Sequence, residues 1–448
     1  MRSSLYLVAG LGKTGHSIAR YLQRRGRAFV AFDTRHTPPG LADFRTEFPG
    51  VDVFFGALPD ALLEQITEII SSPGVALDEP IMQEACRLGI PIIGDIECLA
   101  REVNAPVIAI TGTNGKSTVT TLVGEMAKAA GISVAVAGNI GLPVLDLLDD
   151  GVKYDLWVLE LSSFQLDLTY SLAPIAATIL NVTPDHLDRH HKLEAYIHAK
   201  QRVYHQAKTL LYNRDDSQTI PFVEKDHADT FLISYGLSEP AAGHWGLMTA
   251  ADRLYLACGQ ERLMAVDELR IKGKHNWQNA LAACALAKAA GISQQHMIDV
   301  LQSFVGLSHR SQWIRTINGV DFINDSKGTN VGATMSAISG IGGSMQGKIV
   351  LIAGGQGKGA DFTELRASMA DYVRSVVLIG EDADKLEQVL QDVVKTTRAP
   401  SLDEAVSLAK SQAKPGDVVL LSPACASLDM FRDFNHRGDI FTSLVDAL

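Results

Sequence analysis

Residues 107–121 read V-I-A-I-T-G-T-N-G-K-S-T-V-T-T, and this run predicts a strand, a glycine loop and a helix in succession. The apolar, β-branched part ends at Gly112. After Lys116, apolar residues recur with the i, i+3, i+4, i+7 spacing of one helix face. They are Val119, Leu122, Val123 and Met126. A strand, a loop and a helix in this order are typical of phosphate binding, because loop glycines and the helix N-terminus turn N–H groups toward one point.

The side chains of this loop suit a nucleoside triphosphate with magnesium. Lys116 supplies a full positive charge, and the hydroxyl of Ser117 or Thr118 can face Mg²⁺. The common phosphate-loop pattern has a glycine where this chain has Ile110, so the match is incomplete and an ordinary glycine-rich turn is the alternative. We predict an ATP site. Its residues are Gly112, Thr113, Asn114, Gly115, Lys116, Ser117 and Thr118.

Composition limits the classes of protein and partner. At 448 residues the chain has material for about three domains of roughly 150 residues each. A net charge of -11 argues against nucleic acid and anionic membranes as partners, so local cations and backbone donors must hold an anionic ligand. No apolar run is long enough for a membrane span or, at the N-terminus, for a signal peptide. A cytoplasmic location is therefore expected.

The cysteines predict no covalent framework. Five are scattered through the chain, and no two of them form a C-x-x-C pair. We expect reduced thiols in the core, with neither disulfides nor a zinc site.

The first hundred residues predict a small α/β domain of the dinucleotide-binding type. A predicted strand over residues 5–9 is followed by Gly10, Gly12 and Gly15 in G-x-G-x-x-G spacing, and then by a helix. A second strand over 28–32 ends at Asp33, where a carboxylate can meet a ribose hydroxyl. From these residues alone, NAD, another nucleotide and a purely structural use of the glycines all remain open.

The middle of the chain adds polar residues to the ATP site. A predicted strand over 156–159 ends at Glu160, which is expected to reach the magnesium, with a solvated carboxylate as the alternative. Five histidines lie between residues 186 and 205, of which His186 is the expected functional one. The nearby acids favour a hard metal bound by oxygen over zinc or nickel. Asn139, after a strand over 134–137, is either a ligand contact or a turn residue.

The last third predicts a further parallel sheet. Before it, within the central domain, a helix is predicted from residue 274, with Asn279 in its first turn. Asn276 is either the N-cap of this helix or one of two amides there that could face a nucleobase. Strands over 320–323, 348–353 and 418–421 alternate with helices. The predicted fold class is α/β with three domains: a Rossmann-like domain over 1–94, a central phosphate-loop ATPase-like domain with a parallel sheet over 95–306, and a Rossmann-like domain over 307–448.

Five motifs occur in an order that resembles the Mur ligases, the ATP-dependent amide-forming enzymes of peptidoglycan precursor synthesis. They are T-G-T-N-G-K-S-T (111–118), L-E-L-S-S-F-Q-L (159–166), N-V-T-P-D-H-L-D-R-H (181–190), H-N-W-Q-N-A (275–280) and N-D-S-K-G-T-N (324–330). The incomplete phosphate loop is that family's own version. Residues 33–40, 71–75 and 422–431 are similar to the branch that adds D-glutamate, and the D-N-P-R motif of the diaminopimelate-adding branch is absent.

The resemblance implies a ligase that joins D-glutamate to UDP-N-acetylmuramoyl-L-alanine through an acyl phosphate and a tetrahedral intermediate, releasing ADP and phosphate. It implies two Mg²⁺ ions, with Mn²⁺ as a substitute, and a carbamylated Lys200. The N-terminal domain would then bind a UDP-sugar instead of NAD, and the C-terminal domain would bind the amino acid. The expected partners are these small molecules, with no nucleic acid and no membrane span, and the expected state is a monomer.

Site residues follow from the resemblance position by position. The residues implied as catalytic are Lys116, His186 and Lys200. Those implied for the metals are Ser117, Glu160, His186 and Lys200. Those implied for ATP, beyond the loop, are Asn276, Asn279, Arg310 and Asp325. Those implied for the UDP-sugar are Lys13, Thr14, Thr34, Arg35, Gly74, Asn139, Ser162 and Gln165. Those implied for D-glutamate are Thr329, Lys358, Ser427, Leu428 and Phe434.

Other functions compete with this hypothesis. Another Mur ligase, or a ligase similar to folylpolyglutamate synthetase, would share the ATP site but take a different amino acid. A nicotinamide-dependent dehydrogenase would use Gly10–Gly15 and Asp33 but leave Lys116, Glu160 and Lys200 without a role. A phosphate-loop regulatory protein would bind ATP and form no amide. No residue named above is an obvious general base for the attacking amine.

Overall fold

The computed structural model describes residues 4–38, 40–222, 230–271, 273–343, 345–357 and 359–448, with the backbone alone at 187 and 188. The chain forms two compact units. The first comprises residues 1–236, 243–245 and 282–297, and the second comprises 237–242, 246–281 and 298–448. Within the described residues, no helix has both the length and the apolarity to cross a membrane.

The first unit opens with a parallel sheet of five strands in the order β3-β2-β1-β4-β5. The strands are β1 (Leu5–Ala9), β2 (Ala28–Asp33), β3 (Val53–Phe55), β4 (Ile66–Ser71) and β5 (Ile92–Gly94). The helices are α1 (Lys13–Arg24), α2 (Leu41–Glu47), α3 (Asp60–Leu63), α4 (Pro80–Arg87) and α5 (Asp95–Ala100). This order reverses direction beside β1, where open α/β sheets bind ligands.

The second sheet of this unit is built around the phosphate-loop strand. Six of its strands are parallel in the order β11-β10-β9-β6-β8-β7. They are β6 (Val107–Thr111), β7 (Val134–Gly138), β8 (Leu156–Glu160), β9 (Ala176–Ile179), β10 (Thr209–Asn213) and β11 (Phe231–Tyr235). The helices are α6 (Lys116–Ala129), α7 (Val144–Leu148), α8 (Ser163–Asp167), α9 (Leu187–His190) and α10 (Leu193–Gln201). The predicted strand, loop and helix at the phosphate loop are confirmed.

One hydrophobic core joins these two sheets. It includes Ile18 and Leu22 of α1, Leu99 of α5, Leu145 of α7 and Ala109 of β6, all of them buried. The sheets are therefore packed through shared helices and do not form separate cores on this side.

The described part of the second unit contains a further sheet, in the order β15-β16-β20-β17-β18-β19. All its pairs are parallel except β15 with β16. The strands are β15 (Gln312–Ile317), β16 (Val320–Asn324), β17 (Ile349–Gly354), β18 (Val373–Ile379), β19 (Lys395–Arg398) and β20 (Val418–Leu421). The helices are α13 (Val331–Gly342), α14 (Leu365–Tyr372), α15 (Ala383–Leu390), α16 (Leu402–Gln412) and α17 (Phe434–Asp446). The mixed α/β class with sheets rich in parallel strands is confirmed.

The remaining elements lie between residues 245 and 303. They are β12 (Trp245–Ala250), β13 (Arg253–Cys258), β14 (Glu261–Ala265), α11 (Lys274–Ala289) and α12 (Gln294–Ser303). Strands β13 and β14 pair in the antiparallel sense.

The cysteines depart in part from the prediction. All five are free, as predicted, and three of them (Cys98, Cys284 and Cys425) are buried. Cys86 is exposed and Cys258 is half-buried, so these two are not core thiols.

The glycine fingerprint after β1 offers a direct test of this packing. A Cβ on Gly15 would overlap the carbonyl oxygen of Gly10, whereas a Cβ on Gly12 would meet nothing within 4 Å. Backbone cannot yield as a flexible side chain does, so we expect Gly15→Ala to cost about 1–3 kcal/mol or more. Differential scanning fluorimetry should show a clearly lower midpoint for Gly15→Ala and a nearly unchanged one for Gly12→Ala. Equal midpoints for the two variants would contradict this account of α1 packing.

Candidate active site

Two glycines with positive φ shape the phosphate loop, and the side chain of its lysine bonds back to the loop carbonyls. Gly112 has φ of 149° and Gly115 has φ of 83°, both in the region that favours glycine. The Lys116 ammonium donates to the carbonyl oxygens of Gly112 and Thr113, each at 2.8 Å. The loop therefore ends at the N-terminus of α6 with a cation beside it, an arrangement that favours a polyphosphate.

Asn181, two residues beyond the end of the neighbouring strand β9, stabilises this loop. Its side-chain oxygen accepts from the Asn114 N–H at 2.8 Å, and its amide nitrogen donates to the Asn114 carbonyl at 3.0 Å. Its own carbonyl accepts from the Thr113 N–H at 2.9 Å. The sequence analysis did not single this residue out, although its place at the end of a strand next to β6 was a usable signal.

Glu160 is the centre of a buried polar group beside the loop. The carboxylate is only 2% exposed. One oxygen accepts from the Ser117 hydroxyl at 2.6 Å, and the other accepts from the Asn139 amide at 3.0 Å. The Asn139 N–H also donates to the Glu160 carbonyl at 2.8 Å. A carboxylate and a hydroxyl side by side at a phosphate loop are the oxygen donors that Mg²⁺ takes alongside phosphates and water.

Lys200 is buried at the back of the same loop. Its side chain, on α10, is 1% exposed and donates to the Gly112 carbonyl at 2.9 Å. Burial, followed by the positive charge of Lys116, holds the pKa of Lys200 well below its usual value. The neutral amine is the form that reacts with carbon dioxide, so the environment suits carbamylation.

A cavity of about 300 Å³ opens beside these residues. It brings together six residues that the resemblance implied for the site: Gly74, Lys116, Asn139, Ser162, His186 and Lys200. It also contains Ser163, Phe164, Arg189 and Tyr196, which the sequence analysis did not name. Ser163 and Phe164 lie in the L-E-L-S-S-F-Q-L motif and Arg189 lies in the N-V-T-P-D-H-L-D-R-H motif, which were the signals available for them.

The aromatic residues of the cavity form a wall around the histidines. The Phe164 ring stacks on His190 at a centroid distance of 5.3 Å and meets His186 edge-on at 5.1 Å. His190 Nε2 lies 2.9 Å from the Ser163 hydroxyl. His186 has φ of 53° and a half-exposed side chain that opens toward solvent.

Two of the implied substrate residues hold one another. Ser162 is the N-cap of α8, and its hydroxyl accepts from the Gln165 N–H at 3.2 Å, while the Gln165 side-chain oxygen accepts from the Ser162 N–H at 3.1 Å. Ser162 lines the cavity, and the buried Gln165 fixes its orientation.

Ser117 and Glu160 are the oxygen donors at this edge. Among the described residues, no three histidine, cysteine or acidic side chains cluster as a preformed metal centre. This fits magnesium delivered with a nucleotide, since Mg²⁺ uses one or two protein carboxylates and completes its shell with phosphate and water.

The acid associated with the glycine fingerprint, Asp33, is hydrogen-bonded within the protein. Asp33 accepts from the Leu11 N–H at 2.9 Å and from the Arg35 guanidinium at 2.9 Å on each of its two oxygens. Burial alone would raise the pKa of Asp33, but these hydrogen bonds outweigh it and lower the pKa. Both oxygens are engaged, so Asp33 is not presented to a ribose as in a nicotinamide site. Lys13 and Thr14 begin α1, and Thr34 and Arg35 follow β2 on the same side.

The implied nucleotide-base residues lie in the second unit. Helix α11 begins at Lys274, so Asn276 is within the first turn and the predicted N-cap is wrong. Asn276 and Asn279 are both buried, and the Asn279 amide donates to the Asn276 side-chain oxygen at 3.0 Å. Asp325 accepts from the Ser422 hydroxyl at 2.6 Å, and burial raises its pKa to about 6. Arg310 adds a nearby positive charge, which acts against that rise.

The implied D-glutamate residues occupy the loops after β16 and β20 and the start of α17. Arg437 is completely buried and connects these loops, donating to the Ser326 hydroxyl at 2.9 Å and the Cys425 carbonyl at 3.2 Å. Ser427 is buried and Leu428 is 60% exposed. Phe434 lies under the Lys327 ammonium at 3.9 Å, and Thr329 donates its N–H to the Lys327 carbonyl. Lys358 lies outside the described residues.

The buried polar group at Glu160 predicts a magnesium-dependent nucleotide site. Glu160→Gln keeps the shape but removes the anionic oxygen, so we expect about a tenfold or greater loss in Mg²⁺-dependent affinity for a non-hydrolysable ATP analogue. Glu125→Gln is the matched control, because Glu125 is also on α6 but lies at the surface, where it pairs with Lys128. Calorimetric titration with and without Mg²⁺ measures the effect. An unchanged magnesium dependence in Glu160→Gln would contradict the assignment.

Comparison with known proteins extends these observations to the whole chain. Three family models match: "Mur ligase MurD-like, N-terminal domain" over 4–94, "Mur ligase middle domain" over 110–287 and "Mur ligase, glutamate ligase domain" over 309–425. The chain is 67% identical to the UDP-N-acetylmuramoylalanine--D-glutamate ligase of Legionella pneumophila (strain Lens), with 100% of both chains covered. It is 49% identical to the ligase of the same name from Hahella chejuensis, with 98% of each covered.

A solved structure supports the fold. The MurF ligase of Thermotoga maritima, solved in complex with ADP, superimposes with a TM-score of 0.60 at 15% identity, covering 99% of this chain and 98% of that one. With full-length relatives at 49–67% identity and a shared fold, the chain belongs to the Mur ligase family.

Proposed function

We propose that the chain is an ATP-dependent ligase that joins D-glutamate to UDP-N-acetylmuramoyl-L-alanine during the synthesis of peptidoglycan precursors. The observation that carries the proposal is the cavity in which Lys116, Asn139 and Lys200 meet beside the buried Glu160–Ser117 pair. Relatives that are 67% and 49% identical over nearly the whole chain bear the name of this ligase. The products are the extended UDP-sugar, ADP and phosphate.

The chemistry begins with two anions that repel each other. The alanyl carboxylate of the UDP-sugar attacks the γ-phosphate of ATP, forming an acyl phosphate and releasing ADP. The N–H groups of the phosphate loop and the Lys116 ammonium offset the charge that builds up on the transferred phosphoryl group. The amine of D-glutamate then attacks the acyl carbonyl, and phosphate leaves from the tetrahedral intermediate.

Magnesium has a place in this scheme. Ser117 and Glu160 would hold one ion with the nucleotide, and His186 with carbamylated Lys200 would hold a second, with Mn²⁺ as a substitute. When bound, these ions supply positive charge that lets the carboxylate approach the phosphate. Asn139 positions the Glu160 carboxylate through its 3.0 Å hydrogen bond.

The other proposed roles follow the implied sets of residues. Residues 112–118 with Asn276, Asn279, Arg310 and Asp325 bind ATP. The UDP-sugar is bound by Lys13, Thr14, Thr34, Arg35, Gly74, Asn139, Ser162 and Gln165. D-Glutamate is bound by Thr329, Lys358, Ser427, Leu428 and Phe434. The proposed domains are 1–94, 95–306 and 307–448, and the proposed state is a cytoplasmic monomer.

Product analysis tests the reaction. Incubation with ATP, Mg²⁺, UDP-N-acetylmuramoyl-L-alanine and D-glutamate should yield a product heavier by one glutamyl residue in mass spectrometry. Phosphate release should respond to D-glutamate and not to L-glutamate, L-lysine or diaminopimelate. Lys116→Ala should lower the rate by roughly 10²–10³-fold, whereas Lys128→Ala, on the surface of the same helix, should leave it unchanged. If only another amino acid stimulates phosphate release, that amino acid and not D-glutamate is the substrate.

Lys200 provides a separate prediction. Lys200→Ala should lower the rate by about 10²-fold or more, because the anionic carbamate oxygens are lost. Wild-type activity should fall in bicarbonate-free buffer and recover when bicarbonate is added. Lys192→Ala, an exposed lysine at the start of α10, is the control. If bicarbonate has no effect on the rate and Lys200→Ala is as active as the wild type, the carbamate proposal is wrong.

A further inference from the structure

Three arginines near the C-terminal end of α1 form ion pairs with acidic residues of α7 and of the segments that follow α7 and α5. The Arg20 guanidinium donates to both oxygens of Asp146, at 2.9 and 2.6 Å. The Arg25 guanidinium donates to both oxygens of Asp149, at 2.9 and 3.2 Å, and to Glu102 at 2.7 Å. Arg24 adds a bond to Asp149 at 3.0 Å. We call these six residues the arginine clamp.

The clamp is more than a set of solvated surface pairs. Arg25 and Asp149 side chains are only 24% and 16% exposed, and those of Arg20 and Asp146 are 28% and 24% exposed. The Tyr21 hydroxyl donates to Glu102 at 2.6 Å, and the Arg25 guanidinium stacks 3.7 Å above the Tyr21 ring. Forked bonds to both oxygens of a carboxylate fix orientation as well as distance, which a single lysine contact does not.

The two helices that the clamp joins carry opposite ends of the proposed substrate site. Helix α1 begins at Lys13, directly after the glycine loop proposed for the UDP end. Helix α7 begins soon after Asn139, whose amide holds the Glu160 carboxylate at the proposed reaction centre. The clamp therefore fixes the position of one loop relative to the other.

A small rotation of α1 would matter for catalysis. The helix has 12 residues, so at 1.5 Å per residue it is about 18 Å long, and a tilt of about 3° at the clamped end moves the glycine loop by about 1 Å. A displacement of that size can lower the rate of a reaction between bound groups by as much as about 10²-fold.

We propose that the arginine clamp is a positioning device, which sets the distance between the UDP-binding loop and the reaction centre so that binding of the UDP end places the alanyl carboxylate for attack. The inference rests on the proposed function. It assigns Arg20, Arg25, Asp146 and Asp149 a role in kcat although none of them touches the substrate.

The test uses the double variant Asp146→Asn with Asp149→Asn, which removes the two carboxylates on the α7 side of the clamp and leaves α1 intact, with Arg25 still paired to Glu102 and Arg20 to Glu47. We expect kcat to fall about tenfold, while calorimetric affinities for UDP and for an ATP analogue stay within about twofold of wild type, because each subsite is unaltered. Arg20→Lys keeps the charge and loses the forked geometry, so its kcat should lie between those of the wild type and the double variant. Glu84→Gln, which breaks an exposed pair with Arg87 near the first sheet, should change nothing.

Each outcome has a defined meaning. The positioning role of the clamp is overturned if kcat is unchanged in the double variant. It is also overturned if the loss in kcat is matched by weaker binding of UDP or the ATP analogue. Fluorimetry at the assay temperature shows whether the double variant is folded, and if it is not, the folded Arg20→Lys variant decides by the same criterion. A wild-type protein that forms no glutamyl product refutes the proposed function instead, and is thereby distinguished from failure of the clamp.

Discussion

Parallel pairing of β6 between β8 and β9 is the constraint on which the rest of the active site depends. In this register Ile110 lies beside Glu160 on one side, and Thr111 lies beside Ile179 on the other. The carboxyl ends of all three strands therefore reach the same edge of the sheet. The phosphate loop, the Glu160 carboxylate and the Asn181 amide meet there without any long-range loop having to deliver them.

Charge at this edge is arranged so that each cation lies within reach of an acceptor. Lys116 donates to two loop carbonyls, and Lys200 donates to one of them from the opposite side. Burial of Lys200, and after it the positive charge of Lys116, holds the pKa of Lys200 well below its usual value. A lowered pKa favours the uncharged amine, which is the form that adds carbon dioxide in the carbamate proposed above. That carbamate would place an anionic oxygen near the cation that Lys116 supplies.

The shared core of the first unit extends this arrangement to the UDP-binding loop. Helices α1, α5 and α7 bury apolar side chains from both sheets in one cluster, and the arginine clamp adds directional bonds at its rim. Apolar packing supplies most of the cohesion but little orientation, whereas forked ion pairs contribute little stability and strong orientation. Together they account for a site whose parts are far apart in the chain and close in space.

Local sequence alone determined most of the elements and the chemistry of the phosphate loop. Strand and helix periodicity, and glycines at positions of positive φ, depend on near neighbours, so β1, β6, α6 and β20 followed from the residues. The resemblance to the Mur ligases then indicated which polar residues to expect in the cavity. Tertiary structure decided what those residues contact: Asp33 accepts from the Leu11 N–H of the glycine loop, and Glu160 is held by Ser117 and Asn139. The bonds of Asp33 with Arg35 and of Ser162 with Gln165 join residues only two and three positions apart, so they belong to the local sequence. Tertiary structure also brought in Asn181, Phe164 and Tyr196, and it formed the clamp between residues that are 77 to 126 positions apart. Such contacts depend on which strands pair and which helices pack, and no local pattern in the sequence encodes that information.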